Sequence, residues 1–197
     1  MIAILDYGSG NLRSALRAFE TTGRKVTLTS DPEAAIAADA LVVPGVGAFG
    51  ACMNGLLKVN GEHVIKSRAA AGKPTLGICV GMQIMFDEGV EHGSFKGVGA
   101  LKGIVKKMEA PVLPHMGWNT VNIHGNSKLF KGVEKESFYF VHSFSVKNSE
   151  VETYASTDYY GEFISAVEVG SICATQFHPE KSGAAGLKLI SNWVESL

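Results

Sequence analysis

The sequence predicts an α/β protein: a mixed, mostly parallel central sheet flanked by helices, with a strand-rich second half. Three observations predict it. From Met1 to Phe86, short apolar runs alternate with helix-period segments, the rhythm of a parallel sheet wound on both faces. At residues 73–86, KPTLGICVGMQIMF, an apolar run ends on a cysteine between two glycines and a helical pattern follows. From Ile104 onward, successive β-rich runs replace the helical period and extend such a sheet with antiparallel pairs.

In order, Ile2 to Leu5 reads as a first strand, and a helix runs from Leu12 to about Thr22, closed by Gly23. Lys25 to Thr29 is a second strand. Ser30-Asp31-Pro32 opens a short helix with a capping residue and an early proline. Ala40 to Val43 is a third, fully apolar strand. A helix is expected over Cys52 to Ala71, less regular at Val59-Asn60-Gly61. Pro74 to Ile78 is a buried strand, with a helix after Gly81. Gly89 to Gly103 is loop-like. Strands are expected at Ile104–Met108, Thr120–Ile123, Ser137–Val146, Glu152–Thr157, Ile164–Val169 and Ser171–Gln176, with a tight turn at Gly170. Ala184 to Leu197 carries apolar residues at helical spacing. No linker, repeat or low-complexity stretch interrupts the chain, so residues 1–197 are expected to form one domain.

A net charge of −1 with no basic block leaves no nucleic-acid face. Three scattered cysteines, Cys52, Cys79 and Cys173, make no disulfide framework and suit a reducing, cytoplasmic setting. The apolar start is a strand, not a signal peptide, and no run approaches a membrane span. No cofactor is expected. Gly8-x-Gly10 lacks the third glycine of a dinucleotide loop, since Arg13 stands there, and reads as a tight turn at the sheet's carboxyl edge. No histidine has a partner at metal-ligand spacing and no C-x-x-C pair exists, so a metal site is not expected. Trp118 reads as a packing residue, and Lys106-Lys107 as a solvated strand edge.

Gly77-x-Cys79-x-Gly81 is the cysteine form of a nucleophile elbow, a tight strand-to-helix turn that lifts a reactive side chain above a sheet. The following helix would aim its positive end at Cys79 and favour the thiolate. A buried structural cysteine beside a turn is the competing reading. Two further stretches weigh against it. His178-Pro179-Glu180 follows a late strand, and residues two apart in an extended chain share a face, giving a base and an orienter. Pro44-Gly45-Val46-Gly47 follows the third strand, where closely spaced glycines let backbone N–H groups approach a ligand and make an oxyanion hole with the elbow.

In order and spacing, Pro44-Gly45-Val46-Gly47, Gly77-Ile78-Cys79-Val80-Gly81-Met82-Gln83, Pro114-His115-Met116-Gly117-Trp118-Asn119 and His178-Pro179-Glu180-Lys181-Ser182 resemble the class I (triad) glutamine amidotransferases. Within that family the chain is similar to the branch that serves imidazole glycerol phosphate synthesis. The resemblance covers essentially the whole chain, Tyr7-Gly8-Ser9-Gly10-Asn11-Leu12 included. Val80 stands where leucine is more usual, and Phe144 where tyrosine is frequent, which removes any hydroxyl role at that position. The resemblance implies a flavodoxin-like sheet and hydrolysis of glutamine by Cys79, His178 and Glu180. It assigns the oxyanion hole to Val80 with the Gly45-Val46-Gly47 loop, and glutamine binding to Gln83, Ser143 and Phe144. It implies a (β/α)8-barrel cyclase partner, which uses the ammonia to make imidazole glycerol phosphate and AICAR in histidine biosynthesis. Lys181, Asn11 and Trp118 fall on the docking face or ammonia path. The isolated chain is expected to be a poor glutaminase, its Pro44–Gly47 loop presenting a carbonyl where an oxyanion donor is needed.

Two rivals remain at this level. The glutaminase of pyridoxal 5′-phosphate synthase shares fold and triad, but Gln83 and the Lys181-Ser182 continuation argue against it. A non-enzymatic, flavodoxin-like redox protein needs neither the late His-x-Glu nor a partner.

Overall fold

Residues 1–148 and 150–197 are described by the computed structural model, and they follow the expected alternation. The first strand, β1 (Ile2–Leu5), leads into α1 (Leu12–Glu20), where the Asn11 side chain accepts from the Ser14 N–H at 3.3 Å. Gly23, at φ +74°, turns the chain into β2 (Val26–Thr29). Asp31 caps α2 (Pro32–Ala37), with Pro32 at its start, and β3 (Ala40–Gly45) follows, wholly buried. The helix expected over Cys52–Ala71 is two helices, α3 (Phe49–Lys58) and α4 (Gly61–Ala70). They are separated because Asn60 adopts the left-handed conformation (φ 54°), which a right-handed helix cannot contain. Next come β4 (Thr75–Cys79) and α5 (Val80–Gln83).

The second half begins with two short strands, β5 (Glu88–Gly89) at the edge of the expected loop and β6 (Phe95–Lys96) within it, followed by β7 (Ile104–Lys107). The strand expected at Thr120–Ile123 is instead two, β8 (His115–Thr120) and β9 (Asn122–His124), which join different sheets on either side of Val121. The strand expected at Ser137–Val146 breaks at Ser143 into β10 (Ser137–His142) and β11 (Phe144–Ser145). The chain closes with β12 (Thr153–Asp158), β13 (Glu162–Val169), β14 (Ile172–Thr175) and α6 (Gly183–Glu195).

Among the described residues the main sheet has eight strands in the order β2-β1-β3-β4-β14-β13-β12-β9. Pairing is parallel from β2 across to β14 and antiparallel beyond it. The runs of β1, β3 and β4 are buried throughout and, Thr75 apart, apolar, because both faces of the parallel part are covered. On one face, Phe19 of α1 meets Trp193 of α6 edge-on, with centroids 5.9 Å apart. Two-stranded β8–β10 and the β11-β7-β5-β6 sheet are separate from the main sheet but add Phe138, Phe140 and Val105 to the same core. No helix among the described residues is long and apolar enough to cross a membrane.

Register positions the site. Gly45 pairs with Cys79 between β3 and β4, and Ile78 pairs with Thr175 between β4 and β14. Three adjacent parallel strands therefore end together. Their carboxyl ends carry the Gly45–Gly47 loop, the elbow cysteine and, three residues past β14, His178. Ligands bind at this edge of an open parallel sheet.

Candidate active site

Cys79 sits at φ 56° and ψ −113°, a conformation that costs a non-glycine residue about 1–3 kcal/mol and that the surroundings must enforce. The flanking glycines permit the packing that enforces it. A Cβ on Gly81 would overlap the Val43 carbonyl oxygen, and one on Gly77 would lie 2.8 Å from the Gly81 carbonyl oxygen. The helix after the elbow corrects the sequence reading: it begins at Val80 and spans only Val80–Gln83. One turn sums few peptide dipoles, so a long helix dipole does not govern the thiol. Side chains contact it instead. Gln176, buried at the end of β14, points its Nε2 at Cys79 Sγ from 3.8 Å.

The side chains of His178 and Glu180 are both buried, and His178 Nδ1 lies 2.7 Å from Glu180 Oε1. The extended geometry expected for this pair is replaced by a 3-10 turn over Pro179–Lys181, which proline favours at its start. Hydrogen bonds hold the turn. The His178 N–H donates to the Tyr139 carbonyl (2.9 Å) and Ser182 Oγ donates to the His178 carbonyl (2.6 Å). Burial lowers the imidazole pKa, but Cys79 and Glu180 outweigh it, by hydrogen bonding and by charge, and push it up to about 10. Nε2 is buried with no well-aligned partner, as is Glu180 Oε2. Loose alignment of this kind is common in a catalytic pair without substrate.

In the loop after β3, the Val46 peptide is tied to Ser9. Val46 N–H donates to Ser9 Oγ (3.1 Å), while the Val46 carbonyl accepts from Ser9 Oγ (2.9 Å) and the Cys52 thiol (3.3 Å). Tyr7 Oη donates to the Pro44 carbonyl at 2.5 Å. Gly47 holds φ +93°, the left-handed region that glycine enters without cost.

A cavity of about 300 Å³ opens over Cys79. Of the expected site residues, Val46, Gly47, Val80, Gln83, Ser143, Phe144, His178 and Lys181 line it with Cys79. Gly45 lies beside it as the register partner of Cys79. The Gln83 amide is already engaged, with Nε2 donating to the Phe144 carbonyl (2.9 Å) and to Gln176 Oε1 (3.0 Å). The Ser143 carbonyl accepts from the Met108 N–H at 2.9 Å.

Sequence reading missed Gln176, Glu91 and His142. Gln176 directly precedes Phe177-His178, which was a usable signal. Glu91, whose carboxylate accepts from the Phe49 N–H at 2.8 Å, reaches the cavity from a stretch without periodicity. His142 ends a β-rich run, a pattern that marks no residue as functional. Among the described residues, no group of three or more His, Cys, Asp or Glu side chains is placed to hold a metal.

Asn11, Trp118 and Lys181 lie outside the cavity floor. Trp118, read from the sequence as a packing residue, is 59% exposed and meets Tyr139 edge-on near Gly183. Lys181 is exposed at the cavity rim, and the Asn11 oxygen is spent on capping α1.

Cleaving a carboxamide by covalent catalysis takes a nucleophile, a proton shuttle beside it and room for the amide, and Cys79, His178 and this cavity are placed to supply them. Comparison with known proteins agrees with that chemistry. The family model for "Glutamine amidotransferase class-I" matches residues 3–196. Imidazole glycerol phosphate synthase subunit HisH of Corynebacterium diphtheriae is 54% identical, over 100% of this chain and 99% of the relative. The subunit of the same name from Thermobifida fusca is 51% identical over 100% and 98%. A solved glutamine amidotransferase superposes with a TM-score of 0.77 over 98% of this chain and 97% of its own, at 18% identity. PurLQS from Thermotoga maritima superposes at 0.74 over 99% and 97%, at 20% identity. At those identities the two structures speak for the fold alone. The chain belongs to the class I glutamine amidotransferases and, within them, to the HisH glutaminase subunits.

Proposed function

We propose that this chain hydrolyses glutamine and delivers the ammonia to a (β/α)8-barrel cyclase, which uses it to make imidazole glycerol phosphate and AICAR in histidine biosynthesis. The observation that carries the reading is the buried His178–Glu180 pair, 2.7 Å apart, with the free Nε2 of His178 beside Cys79 in the cavity.

Cys79 Sγ, its proton already taken up by His178 Nε2 as the raised imidazole pKa favours, attacks the side-chain carbonyl carbon of glutamine. The new S–C bond drives the carbonyl electrons onto oxygen. Val80 N–H is one oxyanion donor, and an N–H of the Gly45-Val46-Gly47 loop is the second. On collapse the C–N bond breaks, and His178 gives its proton to the leaving nitrogen, which departs as ammonia. Water then attacks the thioester, losing its proton to His178, and glutamate leaves as the C–S bond breaks. Glu180 fixes the imidazole and stabilises its charged form. Glu91 offers a carboxylate to the substrate ammonium. Gln83 and the backbone at Ser143 and Phe144 hold the head group.

With Val46 N–H spent on Ser9, the second oxyanion donor is withheld, which supports a chain that is a poor glutaminase alone. Asn11, Trp118 and Lys181, with exposed Met116, form the docking face. Residues 1–197 act as one domain.

The test is glutamate release with and without a barrel cyclase. Strong stimulation by the cyclase, abolished by Cys79→Ala, is expected. Full turnover by the lone chain, unchanged on adding cyclase, or full stimulated activity in Cys79→Ala, would refute the reading.

A further inference from the structure

We infer that the buried His115–His142 pair is a one-way hydrogen-bond relay that starts on β8 and positions the Phe144 carbonyl, and with it Gln83, in the glutamine pocket. The inference rests on the glutaminase reading of that pocket. His115 and His142 are positioning residues in it.

Backbone groups at both ends fix the direction. Asn119 Oδ1 accepts from the Thr120 N–H at 2.8 Å, and Asn119 Nδ2 donates to the Asp158 carbonyl at 3.0 Å, so the amide has one orientation. The same Nδ2 faces His115 Nε2 at 3.4 Å. A donor there makes Nε2 the acceptor nitrogen and leaves the ring proton on Nδ1. At the far end, the Phe144 carbonyl can only accept, so His142 Nδ1, 3.0 Å away, carries its proton. His142 Nε2 is then an acceptor, and His115 Nδ1–H donates to it across 3.1 Å. Every link donates toward Phe144. There the carbonyl also takes Gln83 Nε2, joining the relay to the pocket.

The surroundings keep both rings neutral and in place. His115 is stacked between Phe140 and Tyr159, with centroids at 4.8 and 4.0 Å. Burial lowers its pKa to about 4 and that of His142 to about 3. Neutral rings each have one donor and one acceptor, and here both are used. Met116 and Trp118 flank His115 and Asn119 along β8 and point to solvent, so contact with that face bears on the first link.

The experiment is 15N NMR of the imidazoles in the full-length chain, joined to glutaminase kinetics with the cyclase present. Both rings are expected as the Nδ1–H tautomer. Asn119→Asp keeps the shape but presents an acceptor to His115 Nε2, and should shift His115 away from Nδ1–H. His115→Phe keeps the stacking and removes the link. Each variant should raise KM for glutamine roughly 3- to 10-fold, the equivalent of one hydrogen bond, with kcat within about twofold. Nε2–H in either wild-type ring, or unchanged KM in both variants, overturns the relay. The tautomers are read without substrate. An inactive wild type with both rings Nδ1–H would therefore overturn the glutaminase reading while supporting the relay's direction.

Discussion

His178 Nδ1 and Glu180 Oε1 stand 2.7 Å apart inside a 3-10 turn, both side chains buried, with the second carboxylate oxygen unpaired. A carboxylate buried this way is held for its partner, since an unpaired buried charge is expensive. Glu180→Gln keeps the shape but loses the charge that favours the imidazolium. Cyclase-stimulated glutaminase kcat should fall about 10²-fold or more, with the thermal unfolding midpoint little changed. Steady-state glutamate release checks it.

Gln176 links Cys79 to Gln83 through its amide. Gln176→Leu preserves volume and removes both contacts, leaving a Gln83 donor unpaired. Glutaminase kcat/KM should drop by roughly 10-fold or more. Alkylation of Cys79 by iodoacetamide across pH would register the altered thiol environment independently of substrate.

Ser9 holds the Val46 peptide by accepting from its N–H and donating to its carbonyl. Ser9→Ala releases that N–H. Glutaminase activity of the chain without cyclase should rise roughly 3- to 10-fold, while the stimulated rate changes less. A fall in the unstimulated rate would count against the withheld-donor account.

The crossing of the elbow over β3 leaves no room at Gly81. Gly81→Ala sets a methyl group on the Val43 carbonyl oxygen, backbone against backbone. Destabilisation of at least about 3 kcal/mol is expected, measured by urea unfolding.

His115 and His142 stay neutral when folded down to about pH 4 and 3, while in the unfolded chain they protonate near pH 6.5. Between those values the unfolded chain binds more protons. Their contribution is therefore complete above pH 6.5 and is lost as pH falls toward 4, by at most about 1.4 kcal/mol per pH unit for each ring. Urea midpoints at pH 7.5 and 5 measure the loss, and His115→Phe should make the slope shallower.

Much of the chemistry was legible locally. Gly77-x-Cys79-x-Gly81 and His178-Pro179-Glu180 carry their own turn requirements, and the apolar runs of β1, β3 and β4 announce strands buried on both faces. Only the completeness of the break at left-handed Asn60 stayed hidden within the irregularity expected at Val59-Asn60-Gly61, because the apolar period on either side is intact. The strand ends at Val121 and Ser143 were equally hidden, since a β-rich run looks continuous even where its two halves pair with different partners.

The sequence alone marked the proposed nucleophile, base and orienter, through turn motifs only a few residues long, and the strands of the parallel core, through their apolar runs. Tertiary structure alone decided that Gly45 lies against Cys79, that Gln176 and Glu91 reach the cavity, that Ser9 holds Val46, and that His115 and His142 form a chain. Those relations depend on strand register and on side chains 27 to 97 residues apart meeting in one volume. No local periodicity encodes such meetings; they follow from which strands pair and in what alignment.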